Sequence, residues 1–332
     1  MPGKLIPRYY NAEAVPWPVS GGQRLAAIKT RKEQPMAELL KKIKGNTYYI
    51  KGPVNTGIYI YDENRCIIVD TGNGDDWGRK IFKALESEGL KAQMIINTHS
   101  HDDHFGGNRY LTKKTGAEVA ASGIEAAIIR NPYLEPFYLY SAHPPKALQN
   151  KFLMGKESGV DRIIEPGELV IGTAKLEIVD LRGHSPGQVG VATPDGVLMT
   201  ADAYFSAEIA EKYKLLYFTN IADTIDTLGR LKDSSYSYYL PCHGSLSEEV
   251  SGIAELNIRT VREIIDIIRW ELVKPMTREQ LGEGICEKFN LKLNQNQYYL
   301  NQSCLAAYLS YMTDEGMLKN YVEGCRMVWS VV

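Results

Sequence analysis

The apolar positions along the chain switch between two periods. Stretches 47–50, 57–61 and 66–69 are β-branched and aromatic, with turn residues between them, and predict three strands. Asp62, Glu63 and Asn64 supply the turn between the second and the third. Trp77, Ile81, Phe82 and Leu85 then fall on one stripe and predict a helix over 76–89. A strand over 93–97, a helix over 108–115 and a strand over 118–121 follow. Paired strands are expected at 169–171 with 176–181, and at 189–193 with 197–200. A helix over 222–231, a strand over 236–240 and a long amphipathic helix over 248–273 complete this part, and Pro275 stops it. Alternating strands and helices predict a layered α/β domain. Periodicity alone does not separate two packed sheets from one doubly wound sheet.

Two segments fall outside the pattern. Residues 1–35 hold Pro2, Pro7, Pro16, Pro18 and the Gly21-Gly22 pair, and read as an irregular N-terminal arm, either lying over the domain or contacting a partner. No apolar run there is long enough for a signal peptide or a membrane span. Residues 131–160 are aromatic and proline-punctuated, with Phe137 and Tyr138 ahead of His143-Pro144-Pro145. They read as a long loop, equally suited to an aromatic wall over a substrate and to an ordinary satellite cluster.

Beyond Pro275, Thr277 can cap a helix through Leu281, Ile285 and Phe289. A second helix over 297–315 places Leu300, Cys304, Tyr308 and Met312 at four-residue spacing. Strands 317–322 and 327–332 then pair around Glu323 and Gly324. This order predicts a small winged-helix-like α+β domain over 275–332, leaving 36–274 as the main domain. Winged helices often bind DNA. The segment 276–332 carries five basic and six acidic side chains, so it lacks the electrostatic footprint for nucleic acid. A packing, lid or homodimer role suits it better.

Charge over the whole chain is near balance, with 38 basic and 40 acidic residues, which argues against nucleic-acid and membrane partners. The five cysteines are odd in number and form no C-x-x-C pair, so they point to a reducing, cytoplasmic setting rather than a disulfide framework.

The chemistry concentrates in Thr98-His99-Ser100-His101-Asp102-Asp103-His104-Phe105-Gly106-Gly107, which follows the apolar run 94–96. Imidazole and carboxylate are the donors that zinc prefers. His99 and His101 point the same way in extended chain. Gly106 and Gly107 are expected to let the backbone turn tightly. Four more motifs end predicted strands: Asp70-Thr71-Gly72, Gly183-His184-Ser185-Pro186-Gly187, Asp202 after 197–201, and Cys242-His243-Gly244. Five of the six histidines fall in these motifs, which leaves little room for coincidence.

This ordered set resembles the signatures of the metallo-β-lactamase superfamily, over roughly residues 45 to 270. The resemblance implies an αβ/βα sandwich with two divalent metal ions, zinc by preference, with iron and manganese able to use the same donors. Carried over residue by residue, it puts His99, His101 and His184 on one ion, Asp103, His104 and His243 on the other, and Asp202 between them. It puts Asp70 behind the site, orienting ligands through hydrogen bonds. A metal-bridging hydroxide would attack the substrate, with Asp103 orienting it and taking a proton. The true β-lactamases of the family generally lack the bridging aspartate, and the flavodiiron proteins have a glutamate where His101 stands. The set resembles that of glyoxalase II-like thioesterases, acyl-homoserine lactonases, phosphodiesterases and tRNA-processing nucleases; persulfide dioxygenases resemble it with one iron.

The function expected is therefore hydrolysis of a thioester, ester or lactone in a small acyl substrate. Tyr204, Phe137, Tyr138 and His143 are the candidate substrate contacts. Phosphodiester hydrolysis is the alternative within the superfamily. A ligand-sensing regulator, with a C-terminal module that binds DNA or protein, is the alternative of another class.

Overall fold

The computed structural model describes residues 39–332; the expected N-terminal arm, 1–35, lies outside them. Two sheets face each other. The first contains β1 (Leu40–Lys44), β2 (Thr47–Ile50), β3 (Thr56–Ile60), β4 (Arg65–Val69), β5 (Lys91–Ile96), β6 (Glu118–Ala121) and β7 (Arg162–Ile163), paired in that order. The second contains β8 (Gly167–Ile171), β9 (Ala174–Asp180), β10 (Val189–Ala192), β11 (Val197–Ala201) and β12 (Tyr238–Pro241), again as sequence neighbours. A hairpin of β13 (Leu318–Glu323) and β14 (Arg326–Val331) stands apart from both sheets.

The helices, in chain order, are α1 (Gly74–Ser87), α2 (Asp102–Phe105), α3 (Asn108–Thr115), α4 (Gly123–Arg130), α5 (Leu134–Tyr140), α6 (Ala207–Tyr213), α7 (Ile221–Lys232), α8 (Ser251–Glu271), α9 (Arg278–Phe289) and α10 (Gln295–Asp314). Among the described residues no helix is long and apolar enough to cross a membrane.

Side-chain alternation explains the layering. On β4, Cys66 and Ile68 join Ile81 and Leu85 of α1 and Leu111 of α3 in one cluster. Ile67 and Val69 point the other way and meet Ile178, Val191 and Met199 of the second sheet. The far face of that sheet, with Ala192, Leu198 and Tyr239, packs on Leu228 and Leu231 of α7 and Ala254 and Ile258 of α8. The result is helix, sheet, sheet, helix, the expected αβ/βα sandwich. Ile58 on β3 is fully buried. Ile58→Ala is expected to cost about 2–5 kcal/mol of unfolding free energy in a urea titration, from lost transfer energy and the cavity left behind.

Three features differ from expectation. Residues 131–160 are not wholly irregular, because α5 forms around Pro136, a residue that helices tolerate in their first turn. Helices α4 and α6 were not legible: each is short, and its apolar stripe covers barely two turns. Gly106 and Gly107 have ordinary right-handed backbone angles. They are needed for close approach instead, since a Cβ would strike Gly74 N at the first and Thr71 O at the second.

Helix α9 starts at its predicted cap. Thr277 accepts from Gln280 N while the Gln280 side chain accepts from Thr277 N, a reciprocal capping box. Residues 275–332 do not bury their apolar faces alone. Leu281, Ile285, Cys304, Leu305 and Tyr308 share one cluster with Val261 and Ile268 of α8 and with Phe205 and Phe218.

Candidate metal centre

Strand direction gathers the motifs. β4 and β5 are parallel, as are β11 and β12, and β9 runs with β11 because both are antiparallel to β10. The residues after these five strands therefore emerge on one edge of the sandwich: Asp70, the 98–107 segment, His184, Asp202 and His243. Two of these strand ends carry backbone strain. Asp70 and Ala201 have φ of 59° and 51°, a region that costs L-residues other than glycine about 1–2 kcal/mol. At Ala201 the strain coincides with a register shift against β12, which re-aims Asp202. Gly183, at φ 135°, has no room for a Cβ, which would meet Thr224.

The structure brings all seven expected ligands together in two groups. In the first, His101 Nδ1 lies 3.0 Å from both His99 Nε2 and His184 Nε2. In the second, His243 Nε2 is 3.2 Å from Asp103 Oδ2, and His104 Nε2 is 3.7 Å from Asp103 Oδ1. Asp202 Oδ2 joins them, at 3.6 Å from His184 Nε2 and 3.5 Å from both His104 Nε2 and His243 Nε2. Ligands about 2.1 Å from a tetrahedral ion stand about 3.4 Å apart, so these spacings fit divalent metal. The fit has a second support. Among the described residues, His104 Nε2 and Asp202 Oδ1 are buried without a hydrogen-bond partner, an arrangement native proteins avoid unless something else satisfies the atoms.

Each histidine but His101 is oriented through its other nitrogen. His104 Nδ1 donates to Asp70 Oδ2 at 2.9 Å, His184 Nδ1 to the Tyr217 carbonyl at 2.9 Å, and His243 Nδ1 to the Pro53 carbonyl at 3.0 Å. His99 Nδ1 meets Thr98 Oγ1 at 3.1 Å, and that hydroxyl donates to Asp70 Oδ2 at 2.7 Å. Asp70 also accepts from Thr98 N and from the Cys242 thiol. Asp70 thus sits behind the candidate ligands, and leaves the Nε2 atoms of His99 and His104 facing the site. Burial keeps the Cys242 thiol protonated, so it acts as a donor to Asp70.

The electrostatics divide along the same line. Burial, reinforced by neighbouring imidazoles, holds His99 well below the ordinary histidine range and His101 at about 3, and burial lowers His184 too. These three are neutral and ready to ligate. Burial would raise both carboxylates, but imidazolium charge outweighs it: Asp103 is held at about 2 and Asp202 well below its ordinary value. Asp202 lifts His243 to about 9, and with Asp103 it lifts His104 well above the usual range against the opposing effect of burial. Without metal, the second group holds protons where a cation belongs. Zinc loading at pH 7 is therefore expected to release protons. Affinity should climb as pH rises through about 9, as His243 gives up its proton. A pH indicator in weakly buffered solution reads the release, and uptake without release contradicts this protonation scheme.

The four candidate substrate contacts fare differently. Tyr204 is buried among Leu181, Ala203 and Leu228 beneath the second sheet, so it faces the core and not the site. Its neighbour Phe205 points the other way, its ring 5.6 Å from that of His184. His143 is exposed, 2.7 Å from the Tyr133 hydroxyl, and Phe137 stacks on Tyr133. That trio stands on the surface. Tyr138 is exposed over 40% of its surface, and burial around its phenol, with the neighbouring Tyr217, pushes that group well above its ordinary value. The Tyr217 ring lies 5.9 Å from that of His101 and 5.7 Å from that of His184. Sequence reasoning passed over Thr98, Tyr217 and Pro53. Thr98 sits at the edge of the histidine cluster and could have been found there; the other two act through backbone carbonyls, which leave no trace in residue identity.

Comparison with known proteins agrees with this geometry. Residues 49–243 match the profile of the Metallo-beta-lactamase superfamily. Two curated relatives are the hydroxyacylglutathione hydrolases of Erythrobacter litoralis and Brucella ovis. Each is 26% identical over 46% of this chain, covering 49% and 48% of their own lengths. The chain thus spans about half the length of the curated relatives it matches. Among solved structures, a metallo-beta-lactamase family protein from Thermus thermophilus superposes with a TM-score of 0.67 at 19% identity, covering 86% of this chain and 99% of that one. A beta-lactamase domain protein from Burkholderia ambifaria gives 0.69 at 17% identity, covering 92% and 96%.

Proposed function

The chain belongs to the metallo-beta-lactamase superfamily, and from that premise we propose that it is a dinuclear-metal hydrolase that cleaves a thioester, with other esters and lactones as close relatives of that substrate. The observation that carries the reading is Asp202, whose Oδ2 stands at 3.5–3.6 Å from imidazole nitrogens of both donor groups. A carboxylate so placed can serve two cations at once.

His99, His101 and His184 would hold one ion, Asp103, His104 and His243 the second, and Asp202 both. When bound, such ions lower the pKa of water and polarise a carbonyl oxygen. The chain's own residues do the rest. Asp103 and His243 are the exposed members of the second group, at 37% and 28%, so substrate enters on their side. Asp103, held ionised, is the base at that opening: its carboxylate orients the attacking water and takes up a proton as the carbonyl adduct collapses. Tyr217, beside the His101 and His184 rings, forms one wall for the acyl group, with Tyr138 next to it on the exposed side.

The names of the curated relatives favour an acyl-glutathione type of thioester. The near balance of charge disfavours nucleic acid. The test is thiol release from a panel of acyl-glutathione and acyl-CoA thioesters by zinc-loaded protein. The expected result is turnover that chelator abolishes. Two bound ions with no thiol released across the panel contradict the thioester reading, and lactones and then phosphodiesters become the substrates to test.

A further inference from the structure

Helix α4 contributes nothing to either donor group, yet its first turn carries Glu125, a glutamate with no exposed surface. Its Oε2 accepts from Ser100 N at 2.9 Å. Its Oε1 accepts from Ser185 Oγ at 2.5 Å and from Gly187 N at 2.7 Å. Ser100 is the residue between His99 and His101, and Ser185 follows His184 directly. Ser122, which precedes the helix, donates to Gly187 O at 2.7 Å and fixes the same turn a second time.

We propose that Glu125 is the positioning residue for the His99, His101 and His184 group, setting the separation between the two loops that carry these ligands. Those loops come from different sheets, one after β5 and the other after β9. Glu125 is a single rigid fork that accepts from both. A carboxylate is the side chain suited to this task, because both of its oxygens accept and neither donates. Among the described residues its hydrogen-bond donors are neutral N–H and O–H groups, and none is a cation that would offset the burial of its charge. Such burial is costly, and three charge-assisted hydrogen bonds offset it. Glu125 makes no hydrogen bond to Asp103, His104 or His243. Its hydrogen bonds go to the residues that flank His99, His101 and His184, so its effect falls first on that group.

The inference rests on the metal reading of the site, and Glu125→Gln tests it with little change of shape. An amide has one accepting and one donating end. Whichever way it lies, an N–H then faces the Ser100 N–H or the Ser185 and Gly187 donors, and one loop is released. Metal-free wild-type and variant protein are titrated with Co²⁺ and followed by visible absorption with a competing chelator. The expected result is two ions in the wild type. In the variant, the ion that His101→Ala also fails to take up binds about 10- to 100-fold more weakly, the usual cost of losing an outer partner of a ligand, and the other ion is unchanged. Equal binding of both ions in wild type and variant overturns the proposal, and so does equal weakening of both, which marks a merely structural role. Should Glu125→Gln fail to fold, Ser185→Ala removes one donor only. It should weaken the same single ion by a smaller factor, and unaltered binding there overturns the proposal. Absence of cobalt uptake by the wild type overturns the metal reading itself, and this inference with it.

Discussion

Replacement of His101 by alanine is expected to lower turnover by about 10³-fold or more while the protein keeps its fold. Its Nδ1 is the point of closest approach in the first group, 3.0 Å from both His99 Nε2 and His184 Nε2. Deleting it leaves two imidazoles that cannot complete a three-nitrogen set. A catalytic divalent ion supplies several kcal/mol of transition-state stabilisation, and each 1.36 kcal/mol is about tenfold in rate, which gives the magnitude. Stability should change little, because His101 is only half-buried and begins a short helix without capping it through its side chain. Metal content by elemental analysis should fall by about one ion per chain. Wild-type turnover in the variant, with unchanged metal content, would remove His101 from the centre.

Asp202→Asn is expected to act on both groups at once. The aspartate reaches His184 in one group and His104 and His243 in the other, and it is the first cause of the raised His243 value. An amide has the same shape but no charge to share between two cations, so both ions should be lost together and turnover with them, again by about 10³-fold or more. The metal-free variant gives an independent reading. Without the Asp202 charge, the His243 titration should fall from about 9 toward the ordinary histidine value of about 6.5, as followed by NMR. A titration still near 9 in the variant would mean that Asp103 alone, 3.2 Å away, holds the His243 proton. Loss of one ion with retention of the other would show that Asp202 serves a single group.

The candidate ligands were legible because metal chemistry restricts residue type and because each lies just past an apolar strand. Those strands are marked by short, mostly continuous apolar runs, with only β9 alternating, and their ends could be read to within a residue or two. The sandwich itself was not separable from a doubly wound sheet by periodicity, since both alternate strands with helices; the resemblance decided it. β1 was hidden because its Lys41, Lys42 and Lys44 give an edge strand the polarity of a loop. Tyr204 does not face the site because the chain turns after Ala201 and carries its side chain into the core. The aromatic beside Asp202 that turns to the site is Phe205. Glu125 carried no motif at all: in the sequence it is one acidic residue in a short apolar helix, and only the meeting of two distant loops gives it meaning.

The most direct measurement is anomalous scattering at the zinc edge from crystals of the zinc-loaded protein. The account predicts two peaks per chain. One should lie within coordination distance of His99, His101 and His184, the other within reach of Asp103, His104 and His243, with Asp202 contacting both. A single peak, or a second peak away from Asp202, would contradict it.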